Sequence, residues 1–163
     1  MRLGALTAIA MAAAFPAAAF EDELLGKRDA DVPAYKSEQG MILYDDKDAQ
    51  TEYAIDFGTY KKNYVLLLMR DTGAKTNTES IIFEIVQVVR VSKPRGLDLY
   101  TAGCYLRPGP DPKPGEYVMA FARFRPGGDG KPSAISGAWM FDWQAKRIVA
   151  VPEQKVDCRE PGE

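Results

Sequence analysis

Apolar and polar residues alternate with a period of two along most of the chain, the pattern of half-buried strands. Residues 40–44 (GMILY) predict a short strand, and Asp45, Asp46 and Asp48 predict a turn. Residues 52–57 return as a strand with Tyr53, Ile55 and Phe57 on one face. After a turn at 58–63, the run YVLLLM at 64–69 is apolar without interruption, which suits a central strand covered on both faces. Residues 71–78 are polar, broken by Gly73, and read as a loop. Residues 79–91 (ESIIFEIVQVVRV) fit two periods. Ile81, Ile82, Ile85, Val88 and Val89 would line a helix; Ile81, Phe83, Ile85, Val89 and Val91 would line a strand. β-Branched side chains lose little on extension, so the strand is preferred.

The alternation resumes at 97–106. Leu97, Leu99, Thr101, Gly103 and Tyr105 share one side, and Tyr100, Ala102, Cys104 and Leu106 share the other. Residues 107–115 (RPGPDPKPG) can form neither helix nor strand interior, because proline lacks the backbone donor. Residues 116–125 then set Tyr117, Met119 and Phe121 against Val118, Ala120, Ala122 and Phe124. A second Pro/Gly loop at 126–132 precedes a strand at 135–143, a tight connection at 144–147 and a returning strand at 148–151. Residues 156–158 can reach back to the strand bearing Cys104. Connections this short leave no room for crossover helices. The prediction is a mainly β domain with minor helix, an antiparallel meander or small curled barrel of about seven to eight strands.

The start of the chain follows a different rule. Arg2 precedes an apolar stretch at 3–15, small residues stand at Ala17, Ala18 and Ala19, and the acidic residues Glu21, Asp22 and Glu23 follow. This is the order of a secretory signal, predicted over 1–19, with one β-rich domain at 20–163. Residues 20–39 are charged and weakly patterned, and are expected to lie across the domain or to pack loosely. No later apolar run reaches membrane length, so no transmembrane segment is expected in the exported chain. Export gives meaning to the two cysteines. Cys104 and Cys158 are expected to pair in an oxidising compartment, contributing roughly 3–5 kcal/mol. The other reading is one buried and one exposed free thiol. A periplasmic or secreted location follows.

Composition removes whole classes of chemistry. The chain has no histidine, which excludes Ser/His/Asp and Cys/His nucleophilic sites and histidine-dependent zinc sites. A formal charge of -2 with scattered signs offers no footprint for nucleic acid. Gly127, Gly128, Asp129, Gly130 and Lys131 resemble a phosphate loop in composition only, because Pro132 follows and no helix does. Asp45, Asp46 and Asp48 lack the spacing and the glycine of a calcium loop. Asp111 and Asp129 read as turn residues. Asp142 stands between Phe141 and Trp143, but alternation turns it away from them towards solvent. Arg90, Lys93 and Arg95 form a basic cluster, with Arg123 and Arg125 as neighbours. No cofactor and no metal is expected.

Trp139, Phe141 and Trp143 fall at i, i+2 and i+4, so a strand puts them on one face. They either close the core or form a flat aromatic patch for ligand binding, which Tyr100, Tyr105 and Tyr117 could extend. The C-terminal segment resembles small secreted proteins of Gram-negative bacteria that lack an assigned function. The likeness rests on Cys104, on residues 109–112, on the strand at 118–124, on Ala138 to Asp142 in the hairpin, and on residues 156–158. That resemblance implies a periplasmic or secreted setting and a cysteine pair, and it transfers no catalytic residue. The expectation is a non-enzymatic binding or inhibitory module whose partner is an envelope protein or glycan. A carboxylate-dependent envelope hydrolase and a structural envelope component are the alternatives. The hydrolase would need two acidic side chains converging in a cleft.

Overall fold

The computed structural model describes residues 21–44, 51–107 and 116–160. The signal at 1–19, the acidic turn at 45–50, most of the proline-rich loop and the last three residues lie outside the described residues. Nine strands are described: β1 (Tyr35–Tyr44), β2 (Thr51–Tyr60), β3 (Asn63–Lys75), β4 (Ile81–Val91), β5 (Asp98–Leu106), β6 (Val118–Phe124), β7 (Pro132–Asp142), β8 (Arg147–Val151) and β9 (Val156–Cys158). Every pairing is antiparallel. β1 to β4 form one meander in chain order, and the second sheet runs β8-β7-β6-β5-β9. The mainly β, antiparallel expectation therefore holds. The chain returns once, at β9, which pairs with β5 so that Cys104 lies opposite Cys158.

The two sheets pack face to face. Ile55, Phe57, Leu66 and Leu68 of the first meet Leu99, Met119, Phe121 and Phe141 of the second in one buried cluster. Burial of each of the large side chains is worth roughly 1.5–3 kcal/mol. The seams between the sheets are closed by side chains. At one seam the Gln87 amide bonds the backbone of Ile148 twice: Ile148 N donates to Gln87 Oε1 at 2.7 Å, and Gln87 Nε2 donates to Ile148 O at 3.1 Å. Near the other, Gln39 Nε2 donates to Thr101 Oγ1 at 2.8 Å.

The uninterrupted run in β3 has its cause on the outer face. Val65, Leu67 and Met69 point away from the second sheet into a separate buried cluster with Leu24 and Val32. Residues 21–34 thus lie across the first sheet. They are tied to β4 by Gly26 N donating to Ile85 O and Ile85 N donating to Lys27 O, both at 2.9 Å. β1 starts at Tyr35, five residues before the strand that apolar alternation alone predicts.

β4 is a strand, but it does not have a single apolar face. Its register against β3 shifts between Leu68 and Met69, and Val86 is the extra residue. Ile85 and Val88 point outwards, while Val86, Val89 and Val91 point inwards. The expected face holding Ile85 together with Val89 and Val91 is therefore split. The bulge reverses the alternation and creates the three-residue spacing that imitates a helix.

The disulfide Cys104–Cys158 is formed, and both half-cystines are buried on the outer face of the second sheet beside Val118, Ala120 and Ala138. Residues 152–160 strap this face. Arg107 N donates to Lys155 O, Arg159 N to Gly103 O, and Glu160 N to Gly130 O. Among the described residues no helix is long and apolar enough to cross a membrane.

Candidate functional site

Trp139, Phe141 and Trp143 all leave β7 and its turn on the side that faces the first sheet. Phe141 is buried in the inter-sheet core. Trp139 is half-buried and stands edge-on to Phe121 at 5.7 Å. Its ring lies over Gly137, where an added Cβ would come within 2.8 Å of it. Gly137 has φ 73° and falls where the β6–β7 register shifts, so the bulge and the missing side chain together make room for the indole. Trp143 is at the rim.

The rim is shaped by the β7–β8 turn. Asp142 Oδ1 accepts from Gln144 N and Ala145 N, each at 3.0 Å, which accounts for this carboxylate as a turn former. Lys146 closes the turn with φ 51°. The turn carries its Nζ across to the first sheet, 3.3 Å from Glu52 Oε2. There the ammonium sits between two rings, 4.9 Å from the centroid of Trp143 and 5.4 Å from that of Tyr53. Phe141 contacts both of those rings, at 4.8 and 5.3 Å. Tyr117 adds a further ring at 6.2 Å from Trp143.

Tyr117 also fixes the end of β1. Its hydroxyl accepts from Tyr44 N at 2.9 Å and donates to Tyr44 O at 3.3 Å. The Tyr44 side chain remains 48 % exposed, among the largest exposures of any big apolar residue described. This end of the sandwich therefore gathers Tyr53, Tyr117 and Trp143, with Lys146 as a cation held in place, and the exposed Tyr44 adjoins it on the strand end whose backbone Tyr117 bonds. Tyr53 belongs to it, and Tyr44 adjoins it through its backbone, although the strand pattern around Trp139 does not reveal them. They come from the other sheet, and only the packing brings them here. Tyr100 and Tyr105 do not join it. Tyr100 lies on the outer face of the second sheet against Phe124, and Tyr105 lies beneath the Arg159 guanidinium.

A carboxylate with altered surroundings is Asp56 on β2. It is half-buried, and burial raises its pKa, against the lowering effect of the hydrogen bond from Ser37. Ser37 Oγ donates to its Oδ1 at 2.8 Å. The Tyr35 hydroxyl is buried beside it without closing a hydrogen bond, and burial followed by the Asp56 charge raises the phenol strongly. Among the described residues, no three cysteine, aspartate or glutamate side chains come together in a metal-binding group. Arg123 joins the basic cluster as the sequence places it, donating to Gly96 O at 2.7 Å and to Arg95 O at 3.3 Å. Those bonds hold the β4–β5 connection against β6.

No protein-family model, curated protein or solved structure matches this chain.

Proposed function

We propose that the protein is an exported, non-enzymatic binding module of the cell envelope, and that it contacts an envelope protein or glycan through the aromatic end described above. The observation that carries this reading is the exposed Tyr44 on a strand end whose backbone is bonded by Tyr117, the ring that also contacts Trp143 of the Trp143–Lys146 pair. Rigid aromatic groups with a polar tip lose little entropy on contact and supply much of the energy at interfaces and sugar-binding faces. The leader pattern and the buried disulfide support the exported setting.

The test compares the oxidised wild-type protein with Tyr44→Ala on a glycan array and in capture from envelope extract. Tyr44 lies outside the buried clusters, so the variant is expected to fold normally. Loss of the retained species by about tenfold or more is expected, in line with removal of an interface anchor. Retention by both proteins alike, or by neither, sinks the proposal.

A further inference from the structure

At the opposite end of β2 the chain turns through Tyr60, Lys61, Lys62 and Asn63, with Tyr60 and Asn63 paired. Lys61 and Lys62 both have left-handed backbone, φ 46° and 67°. A two-residue hairpin turn of this kind favours Asn-Gly or Asp-Gly, because a Cβ is crowded there. Two lysines in the two strained positions invite a functional reason.

The surroundings supply one. Lys36, Thr59 and Tyr64 are register partners across β1, β2 and β3. Tyr64 packs against the inter-sheet core, so this row belongs to the inner face. It borders an open hollow of about 430 Å³ whose remaining walls are Ala34, Lys61 and Lys62. Lys61 is engaged elsewhere, with its Nζ 2.7 Å from Glu23. Lys93 stands over the Tyr64 ring at 5.4 Å and is paired with Glu38. Among the described residues Lys36 and Lys62 have no carboxylate partner. The hollow is therefore lined by two lysines without a carboxylate partner among the described residues, by Thr59 and by the aromatic Tyr64.

We propose that this hollow binds a phosphate monoester. A dianion matches two point-like ammonium charges, and lysine is suited to phosphate as a compact donor. The Tyr64 ring would border the body that carries the phosphate. The site is independent of the aromatic end, which lies at the other end of the same strand.

The test is a titration of the purified protein with phenyl phosphate, followed by amide chemical shifts. Inorganic phosphate and phenol are run as comparisons. Saturable shifts are expected at Lys36, Thr59 and Tyr64, tighter for phenyl phosphate than for either comparison and weakened by salt. Lys36→Ala and Lys62→Gly should each weaken binding about fivefold or more, the scale expected of one close charge. Lys62→Gly relieves the left-handed lysine, so its melting temperature should rise or hold while affinity falls. A variant that merely misfolds cannot produce that combination.

Vesicles separate two sources of the phosphate. Retention on phosphatidic acid but not on phosphatidylcholine, lost in Lys36→Ala, supports a lipid phosphate. Phenyl phosphate binding without vesicle retention supports a soluble phosphoester. Non-saturating shifts, unchanged affinity in both variants, or vesicle retention without phenyl phosphate binding overturns the proposal.

Discussion

A Cβ placed on Gly58 would lie 2.2 Å from the Lys36 carbonyl oxygen and 2.7 Å from the Tyr35 hydroxyl. The Tyr35 ring lies against this glycine, on the same outer face as Asp56. Neither the β1 backbone nor the buried phenol can retreat cheaply, so Gly58→Ala is expected to destabilise by about 3 kcal/mol or more, measured by urea unfolding. Asp56 gives a prediction of the opposite sign. Its pKa is raised in the fold, chiefly by burial. The folded state then holds its proton to higher pH than the unfolded chain does. Stability attributable to this residue is greatest below the unfolded carboxylate pKa and falls as pH rises through the folded value. Asp56→Asn should therefore raise the melting temperature at neutral pH and flatten the pH dependence on the acid side. Asparagine can still accept from Ser37. An unchanged pH profile would show that burial of this carboxylate has no energetic consequence. Lys62→Gly belongs to the same scale, and removal of a left-handed Cβ should stabilise by roughly 0.5–1 kcal/mol in the same unfolding measurement.

The elements hold one another through a few specific devices. Gln87 reaches from β4 to Ile148 on β8 and satisfies both backbone groups of that residue. Gln87→Ala leaves a buried N–H and C=O unpaired, at a cost of about 1–3 kcal/mol. Hydrogen exchange should locate the loss at the Ile148 amide, before any change in β2 or β3. The disulfide ties β9 and its strap to β5 across a separation of 54 residues. Replacing both cysteines by serine is expected to cost roughly 2–5 kcal/mol. Mass spectrometry under non-reducing conditions should recover Cys104 and Cys158 in one linked peptide. These two devices differ in how visible they are in sequence. Two cysteines in a chain with a leader pattern announce a bond. A lone glutamine in VQVV announces nothing, because its role depends on a backbone sixty-one residues away. The β4 bulge was likewise hidden, since one inserted residue turns a two-residue period into something close to a helical one.

Across the whole molecule the two ends of the sandwich differ in character. One end holds Lys146 between Tyr53 and Trp143, with Tyr117 against Trp143 and bonded to the backbone of Tyr44. The other carries the Lys61–Lys62 turn and Lys36, which has no carboxylate partner among the described residues. The strand pattern made it legible that Trp139, Phe141 and Trp143 share a face, because period two decides which side of a strand a residue takes, and the packing of the two sheets turned that face inwards. It could not separate the three by depth. Phe141 lies deepest because it sits where the sheets face each other fully, and Trp143 reaches the rim because the strand ends beside it.

Local physics accounts for what the sequence determined alone. Alternation, Pro/Gly punctuation and β-branching act within a few residues, so they decided most of the strands, the antiparallel meanders and the closed turns, whereas β3 runs on to Lys75 through residues that the local pattern reads as a loop because β4 pairs with it there. A leader pattern together with two cysteines was enough to expect the bond that forms. Only the tertiary structure decided how the strands divide into two sheets, that residues 21–34 cover the outer face of β3, and which side chains from different sheets meet. Those outcomes depend on which apolar faces bury each other across long separations, and no short stretch of sequence carries that information. The aromatic end and the lysine hollow are both products of that long-range choice.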